Sequence, residues 1–416
     1  MISFGKYPLI FLSFFGVFGY YLFFSILGSL GVTYSGRDSG SGIFVFFALS
    51  IFIFLLIIFA FDFVRQGFSK VDIYFLLFFL FLFINQSISI IINGNLIEGS
   101  MFVFQNFIVF GLPGYFAASI LNERKLIKDF IKFSDIFAIV LLILLITSVW
   151  ETFLGGDREV EIGGATYQNF SYMAALSFSI LVNNELILNP YERFKIFNSL
   201  IFKIILPIIL SLAFIACLLG GGRGALIIII FSILRIIYQF LMPSSFTLRK
   251  IITSFTFMFL ILIGYIYLNN IILSNEALMF GFDRSTEFVT DEGIDIESGS
   301  SGRDIVYLTA IEGIGNSPFF GYGAFNVHAL VIHPHNIYLD FFLQFGFLGF
   351  LLAVIITAHL IFLAFTRKDK DSKTDWLIWL LPFPMIMLFF SGSYLEAGVF
   401  WFLLYLIYSE HYNKKT

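Results

Sequence analysis

Along most of the chain, apolar residues run in blocks of about 20 with no polar face, and short clusters of charge, Gly or Asn separate the blocks. A block of that length that is apolar all round suits a helix crossing a bilayer and has no place on a water-facing surface. About twelve blocks fit, near residues 8–30, 43–63, 72–92, 100–121, 136–154, 169–188, 200–219, 225–242, 251–271, 344–365, 376–390 and 399–409. The last two are short, as a tilted, re-entrant or protein-shielded segment would be. The pattern predicts an all-α integral membrane protein. Nine spans lie in residues 1–271, a long polar connection follows at 272–343, and three spans with a tail fill 344–416.

Composition agrees. The chain is 59% hydrophobic, with 60 Phe among its 416 residues, and only 12% charged, against about 25% in soluble domains. No water-soluble core can hide that many aromatic rings. A net charge of −4 leaves no electrostatic footprint for nucleic acid, and the single Cys217 excludes an internal disulfide. Met1 to Lys6 carries one positive charge and precedes an apolar run long enough to stay in the membrane, so no cleaved leader is expected.

The distribution of Lys and Arg sets an expected orientation, because basic residues near span ends are retained in the cytoplasm. They gather at 122–135, 189–199, 243–250 and 366–375, every second connection, and at both ends in Lys6, Lys414 and Lys415. Both termini are therefore expected inside. The outer side then keeps only Arg37, Arg158, Arg223, Arg284 and Arg303, five of the 24 basic residues. Residues 272–335 become the large extracytoplasmic connection. Its polar half, Asn275 to Ser301, precedes a half with apolar and aromatic spacing, and the second half is the one expected to be ordered.

Chemistry-bearing residues collect on that side. In Val331-Ile-His-Pro-His-Asn-Ile-Tyr-Leu339, Pro334 suits the first position of a helix, where its missing N–H has no partner to lose. His335 would then stand in the first turn, with Leu339 and Gly346 on the same face. The positive helix end disfavours imidazolium there and leaves a ring able to accept a proton. A polar histidine marking a helix start is the plainer role. His333 and His328 lie close by, but a spacing of two and the absence of a Cys or a clear carboxylate partner argue against a metal site.

Arg223 sits in Gly220-Gly-Gly-Arg-Gly224 between two apolar runs. It either meets an anion, with the glycines letting backbone N–H groups converge on the ligand, or snorkels to the membrane surface. Arg303 opens Ser301-Gly-Arg-Asp-Ile-Val-Tyr307, a stretch with helix-like spacing, and is open to a local acid or to a ligand. The Gly313–Gly323 stretch that follows is a compact turn and lacks the Lys-Ser/Thr pair of a phosphate-binding loop. Gln168 and Asn169 stand at a helix entrance, open to a sugar or to capping, and capping is their ordinary role.

In order and spacing, these residues resemble the O-antigen polymerase and O-antigen ligase superfamily of bacterial envelope glycosyltransferases. Gly222-Arg223-Gly224 is followed by a large outer loop with Gly302-Arg303 and Asn316-Ser-Pro-Phe-Phe-Gly-Tyr-Gly323. The loop ends in His335-Asn336, with Leu339 and Gly346 at the family's spacing. The specific resemblance covers about residues 220–350. It implies a GT-C-like, inverting, metal-independent transferase that needs no cofactor and acts at the extracytoplasmic face of the bacterial inner membrane. It also assigns roles: Arg223 and Arg303 to the pyrophosphate of a polyprenyl-diphosphate-linked oligosaccharide donor, and His335 to the proton of the acceptor hydroxyl. Asn336, Tyr338 and His333 would support them. The implied partners are the lipid-linked donor and acceptor, the bilayer, a chain-length regulator and a flippase. The Asn336-Ile-Tyr-Leu-Asp-Phe-Phe342 run resembles the polymerases more than the ligases. A flippase for the same lipid is the reading from another class, but the half-to-half repeat usual in transporters is not visible.

Overall fold

The computed structural model describes residues 5–31, 41–93, 100–155, 166–241, 276–286, 289–290, 293–294, 303–326, 334–366 and 371–413. Apart from a two-residue hairpin, Val289–Thr290 (β1) with Gly293–Ile294 (β2), their regular structure is helical. In order come α1 (Lys6–Ser29), α2 (Ser41–Gln66), α3 (Lys70–Asn93), α4 (Ser100–Asn106), a π turn (Phe107–Gly111), α5 (Leu112–Glu123), α6 (Ile127–Gly155), α7 (Tyr167–Ile187), α8 (Leu200–Gly220) and α9 (Arg223–Leu241). They are followed by α10 (Glu276–Thr286), α11 (Arg303–Asn316), α12 (Ile337–Thr366), α13 (Ser372–Leu380), α14 (Pro382–Phe390) and α15 (Gly398–Asn413).

Eleven of the twelve expected spans fall on described residues, and every one is helical; the block 251–271 lies outside them. Among the described residues, eight helical segments are long and apolar enough to cross a membrane, and they include the α4–α5 and α13–α14 pairs as single spans. Helix α7 is not among the eight, for a physical reason. All 15 of its residues from Phe170 to Asn184 are buried by protein. Ser171, Ser177, Ser179, Asn183 and Asn184 lie among them. A helix shielded from lipid can carry small polar residues that pack closely and bond to neighbours, as Asn184 does to Ser134 at 2.8 Å and Ser179 to Ser232 at 3.1 Å. The lipid-facing helices show the reverse, with Phe54, Ile57, Leu77, Leu80, Ile204, Ile208 and Ile355 exposed.

The chain divides into two compact units, one of Met1–Gly19, Val45–Leu126 and Asp295–Thr416, the other of Tyr20–Phe44 and Ile127–Ile294. In the first, α15 packs against α5 and α3. Asp72, in the first turn of α3, is buried; it accepts from the Ser69 N–H at 3.1 Å and from the hydroxyls of Tyr115 and Ser119, both at 3.0 Å. Arg124 forks onto both oxygens of Asp62 at 2.8 Å. In the second unit, α7 packs against α6, α8 and α9. Arg193 is buried there in an ion triad, with both Asp135 oxygens at 2.9 Å and Glu185 at 2.6 Å. Arg193, one of the residues that set the expected orientation, thus also has a structural task.

Candidate active site

The first unit builds a site around the start of α12. The helix does not begin at Pro334. It begins at Ile337, and His335 stands one residue before the cap, in the left-handed region with φ 49°. The reason is Asn336. Its Oδ1 accepts from the N–H groups of Tyr338 at 3.0 Å and Leu339 at 3.3 Å, and its carbonyl accepts from Asp340 N at 2.9 Å. Asn is among the strongest N-caps, and here it overrides the preference of proline for the first helical position. His335 is therefore not on the face of Leu339, and its left-handed backbone is a strained conformation of the kind that clusters at functional sites.

Burial, and then the charge of Arg303, bring the His335 pKa down from 6.5 to about 4. Arg303 is the first residue of α11 and is half-buried. The ring is thus kept neutral, as expected, but by desolvation and a neighbouring cation and not by a place inside the first helical turn. Tyr338 is half-buried, with its ring against Phe389 at 5.4 Å and Phe350 at 6.2 Å. His333 and His328 lie outside the described residues.

Eleven positions beyond His335, α12 breaks. Gly346 has φ 68° and ψ −157°, so the long helix is two helices meeting at a kink. Carbonyls freed by the break are taken by the Asn316–Gly323 motif. Tyr322 N–H donates to Leu343 O at 2.7 Å, Gly323 N–H to Gln344 O at 3.0 Å, and Phe347 N–H to Pro318 O at 2.8 Å. Non-helical backbone at membrane depth is tolerated where protein satisfies it in this way. Gly346, expected as a helix-contact glycine, is a close-contact residue of another kind: a Cβ there would lie 2.2 Å from the Phe319 carbonyl.

The same motif is anchored to α3. Asn326 is wholly buried and binds Gln86 at 2.9 Å, Ser89 at 2.8 Å and the Tyr322 carbonyl at 2.8 Å, while Phe325 N–H donates to Gln86 at 2.9 Å. Beneath Asn336, at four-residue spacing on α12, lie Asp340 and Gln344, only 1% and 2% exposed. Gln344 accepts from the Tyr394 hydroxyl, which burial and then the Asp340 charge keep protonated well above its usual range. Glu396 accepts from Asn106 at 2.8 Å. This buried polar column below the Asn336 cap was not anticipated. The four-residue spacing of Asn336, Asp340 and Gln344 was the available signal.

The second unit holds Arg223, first residue of α9. Helix α8 ends on Gly221 at φ 61°, a conformation open to glycine, and the Gly222 N–H donates to Ser171 Oγ at 2.9 Å. This turn aims Arg223 Nε at the carbonyl of Arg284 in α10, 3.0 Å away. Arg284 in turn lies over the Tyr167 ring, 3.6 Å from its centroid, and donates to the Tyr167 hydroxyl. Gln168 also donates to that hydroxyl, at 3.0 Å, and Asn169 donates to Tyr20 at 3.1 Å; neither of these bonds caps α7. Helix α10 was not expected, since it lies in the half taken as less ordered, and Arg284 within it, counted among the outer arginines, had been given no role. Arg303 and His335 share one electrostatic neighbourhood in the first unit, and Arg223 is placed with Arg284 in the second.

Residues 208–354 match the family model described as O-antigen ligase. Over that stretch the chain is similar to the O-antigen ligase family. The matched stretch includes Arg223, Arg284, Arg303, His335 and Gly346, and with it the arginine turn, the helix opened by Arg303 and the broken helix. Members of this family are membrane glycosyltransferases that act in polysaccharide biosynthesis as polymerases or ligases. With eight segments able to span among its described residues, the protein is a multi-pass membrane protein. No curated protein and no solved structure matches the chain.

Proposed function

We propose that the protein is a surface-polysaccharide polymerase of the inner membrane, joining oligosaccharide repeat units carried on undecaprenyl diphosphate. The observation that carries the reading is His335 itself, a half-buried imidazole held neutral beside Arg303 at a strained helix entrance. A general base must be within reach of the proton and unprotonated at the working pH. Neutral His335 takes the proton of the acceptor hydroxyl as its oxygen attacks the anomeric carbon. The bond from that carbon to the diphosphate breaks, with inversion, and the electron pair leaves with the lipid diphosphate. Charge develops on that leaving group, and arginine forks stabilise it without a metal. Arg303 is one such fork, and the resemblance to the superfamily gives the same role to the motif arginine Arg223. The active site faces the extracytoplasmic side, with both termini in the cytoplasm.

The test is transfer from a lipid-linked oligosaccharide by purified protein in detergent. His335→Ala should cost about 10²–10⁴ in rate with the protein still folded, and Arg303→Lys should lose most activity because an ammonium lacks the fork. A folded His335→Ala variant with full activity overturns the mechanism. The description of the matching family favours a second reading, a ligase passing the glycan to lipid A-core. Lengthening of lipid-linked chains identifies the polymerase, transfer to lipid A-core identifies the ligase, and movement between leaflets without new bonds identifies a flippase.

A further inference from the structure

Arg284 lies outside the motif that pointed to Arg223 and Arg303, yet it meets both the Arg223 side chain and the Tyr167 ring. Helix α10 packs against α8 at a point where only hydrogen fits: a Cβ on Gly281 would lie 2.1 Å from the Leu218 carbonyl. That approach brings the Arg284 carbonyl to Arg223 Nε at 3.0 Å. The Arg223 side chain is thereby fixed by the main chain at Arg284.

The ring of Tyr167 answers only part of the Arg284 charge. It lies 3.6 Å from the guanidinium carbon, with Phe280 at 5.9 Å, and its hydroxyl takes one N–H. A guanidinium has five donors in a plane, and stacking covers a face while leaving the edge free to bond. Among the described residues no carboxylate forms an ion pair with Arg284. Asp283, its neighbour in the chain, is exposed. A planar fork that is stacked, half-buried and without an acid partner among the described residues is the arrangement that recognises an oxyanion bidentately.

We propose that Arg284, stacked on Tyr167 and tied through its carbonyl to Arg223, is a further ligand-holding guanidinium that binds phosphate oxygens of the lipid-linked diphosphate substrate. This deepens the transferase reading above and rests on it. It divides the labour so that Arg284 acts in binding the diphosphate, with no part in the proton transfer assigned to His335. Tyr167 is a positioning residue, since its ring fixes the plane of the fork.

The experiment measures binding of undecaprenyl diphosphate, with no acceptor present, to the full-length protein in detergent. Arg284→Gln should weaken binding about 10- to 100-fold, the scale of lost charged hydrogen bonds, and Arg284→Lys should also bind more weakly than wild type. Tyr167→Phe, which keeps the ring, should have a smaller effect than Tyr167→Leu. His335→Ala should bind as wild type. In turnover, Arg284→Lys should raise the donor KM and leave the acid limb of the pH profile in place. If Arg284→Gln does not fold, the Arg284→Lys result decides, since it keeps the charge and loses only the fork. Wild-type affinity in a folded Arg284 variant overturns the proposal while leaving the transferase reading intact. A wild-type protein that does not bind the lipid diphosphate overturns both.

Discussion

Replacing Gly346 by alanine tests whether the break in α12 is held by the motif that docks on it. At φ 68° and ψ −157° the backbone is in a region open essentially to glycine alone, where an L-residue costs about 1–3 kcal/mol. The new Cβ would also meet backbone on the far side, at 2.2 Å from the Phe319 carbonyl carbon and oxygen and 2.7 Å from Phe320 N. Backbone cannot rotate away as a side chain does. Relief requires the 318–323 segment to retreat, which opens the bonds Phe347 N to Pro318 O, Tyr322 N to Leu343 O and Gly323 N to Gln344 O. At roughly 0.5–1.5 kcal/mol each, losing all three brings the expected penalty to about 3–7 kcal/mol. Thermal unfolding of the purified protein in detergent, followed by tryptophan fluorescence, should show a clear fall in midpoint. Gly315→Ala is the internal control. Its Cβ meets nothing within 4 Å inside helix α11, so it should be neutral or gain up to about 1 kcal/mol. Equal midpoints for Gly346→Ala and wild type would refute the account of the break.

Four further outcomes concern pH, stability and topology. Because His335 has a pKa of about 4, it stays neutral as the pH falls from 7 to 5, so transfer should hold its rate over that range and decline only near 4; a wild-type profile already falling between 7 and 6 contradicts this. The same depression has a stability sign: below 6.5 the unfolded chain takes up the proton first, so the fold loses stability down to about pH 4 and no further. Asp135→Asn takes one acid from the buried Arg193 triad, and should destabilise by about 3–5 kcal/mol, read as a lower midpoint in the same melt; an unchanged midpoint contradicts the triad's role. For topology, a cysteine at Ser298, which lies outside the described residues, should react with an impermeant maleimide in spheroplasts and one at Ser372 should not; the reverse inverts the orientation.

The helices were legible because in lipid the solvent itself selects long apolar runs, and no tertiary detail was needed to see α1, α2 or α8. Helix α7 was also legible as a helix, but its complete burial by protein was not. Ser171, Ser179 and Asn184 in an apolar run signal protein contact only once the partners Cys217, Ser232 and Ser134 are known. At the site, Pro334 and Asn336 gave competing signals for the same helix start. The side-chain oxygen of Asn336 prevailed because it satisfies two orphan N–H groups, whereas Pro334 only avoids creating one. The neutrality of His335 was read correctly but ascribed to the helix end, since the burial and the Arg303 neighbour depend on contacts far apart in sequence. Arg284 was hidden by the acidic loop around it. Its place is set by the approach of Gly281 to Leu218, a long-range contact that leaves no periodic trace.

The bonds that join the 318–323 segment to the kink in α12 also constrain how the gene can change. His335 and Gly346 are separated by one short helix, Ile337–Phe345, whose upper end is fixed by the Asn336 cap and whose lower end is gripped through the Leu343 and Gln344 carbonyls. One residue inserted or deleted between them would turn the histidine end by about 100° and move it about 1.5 Å along the axis, away from Arg303. The interval therefore works as a ruler. Substitutions can accumulate along it, while a change of length separates the reactive ring from the segment that supports it.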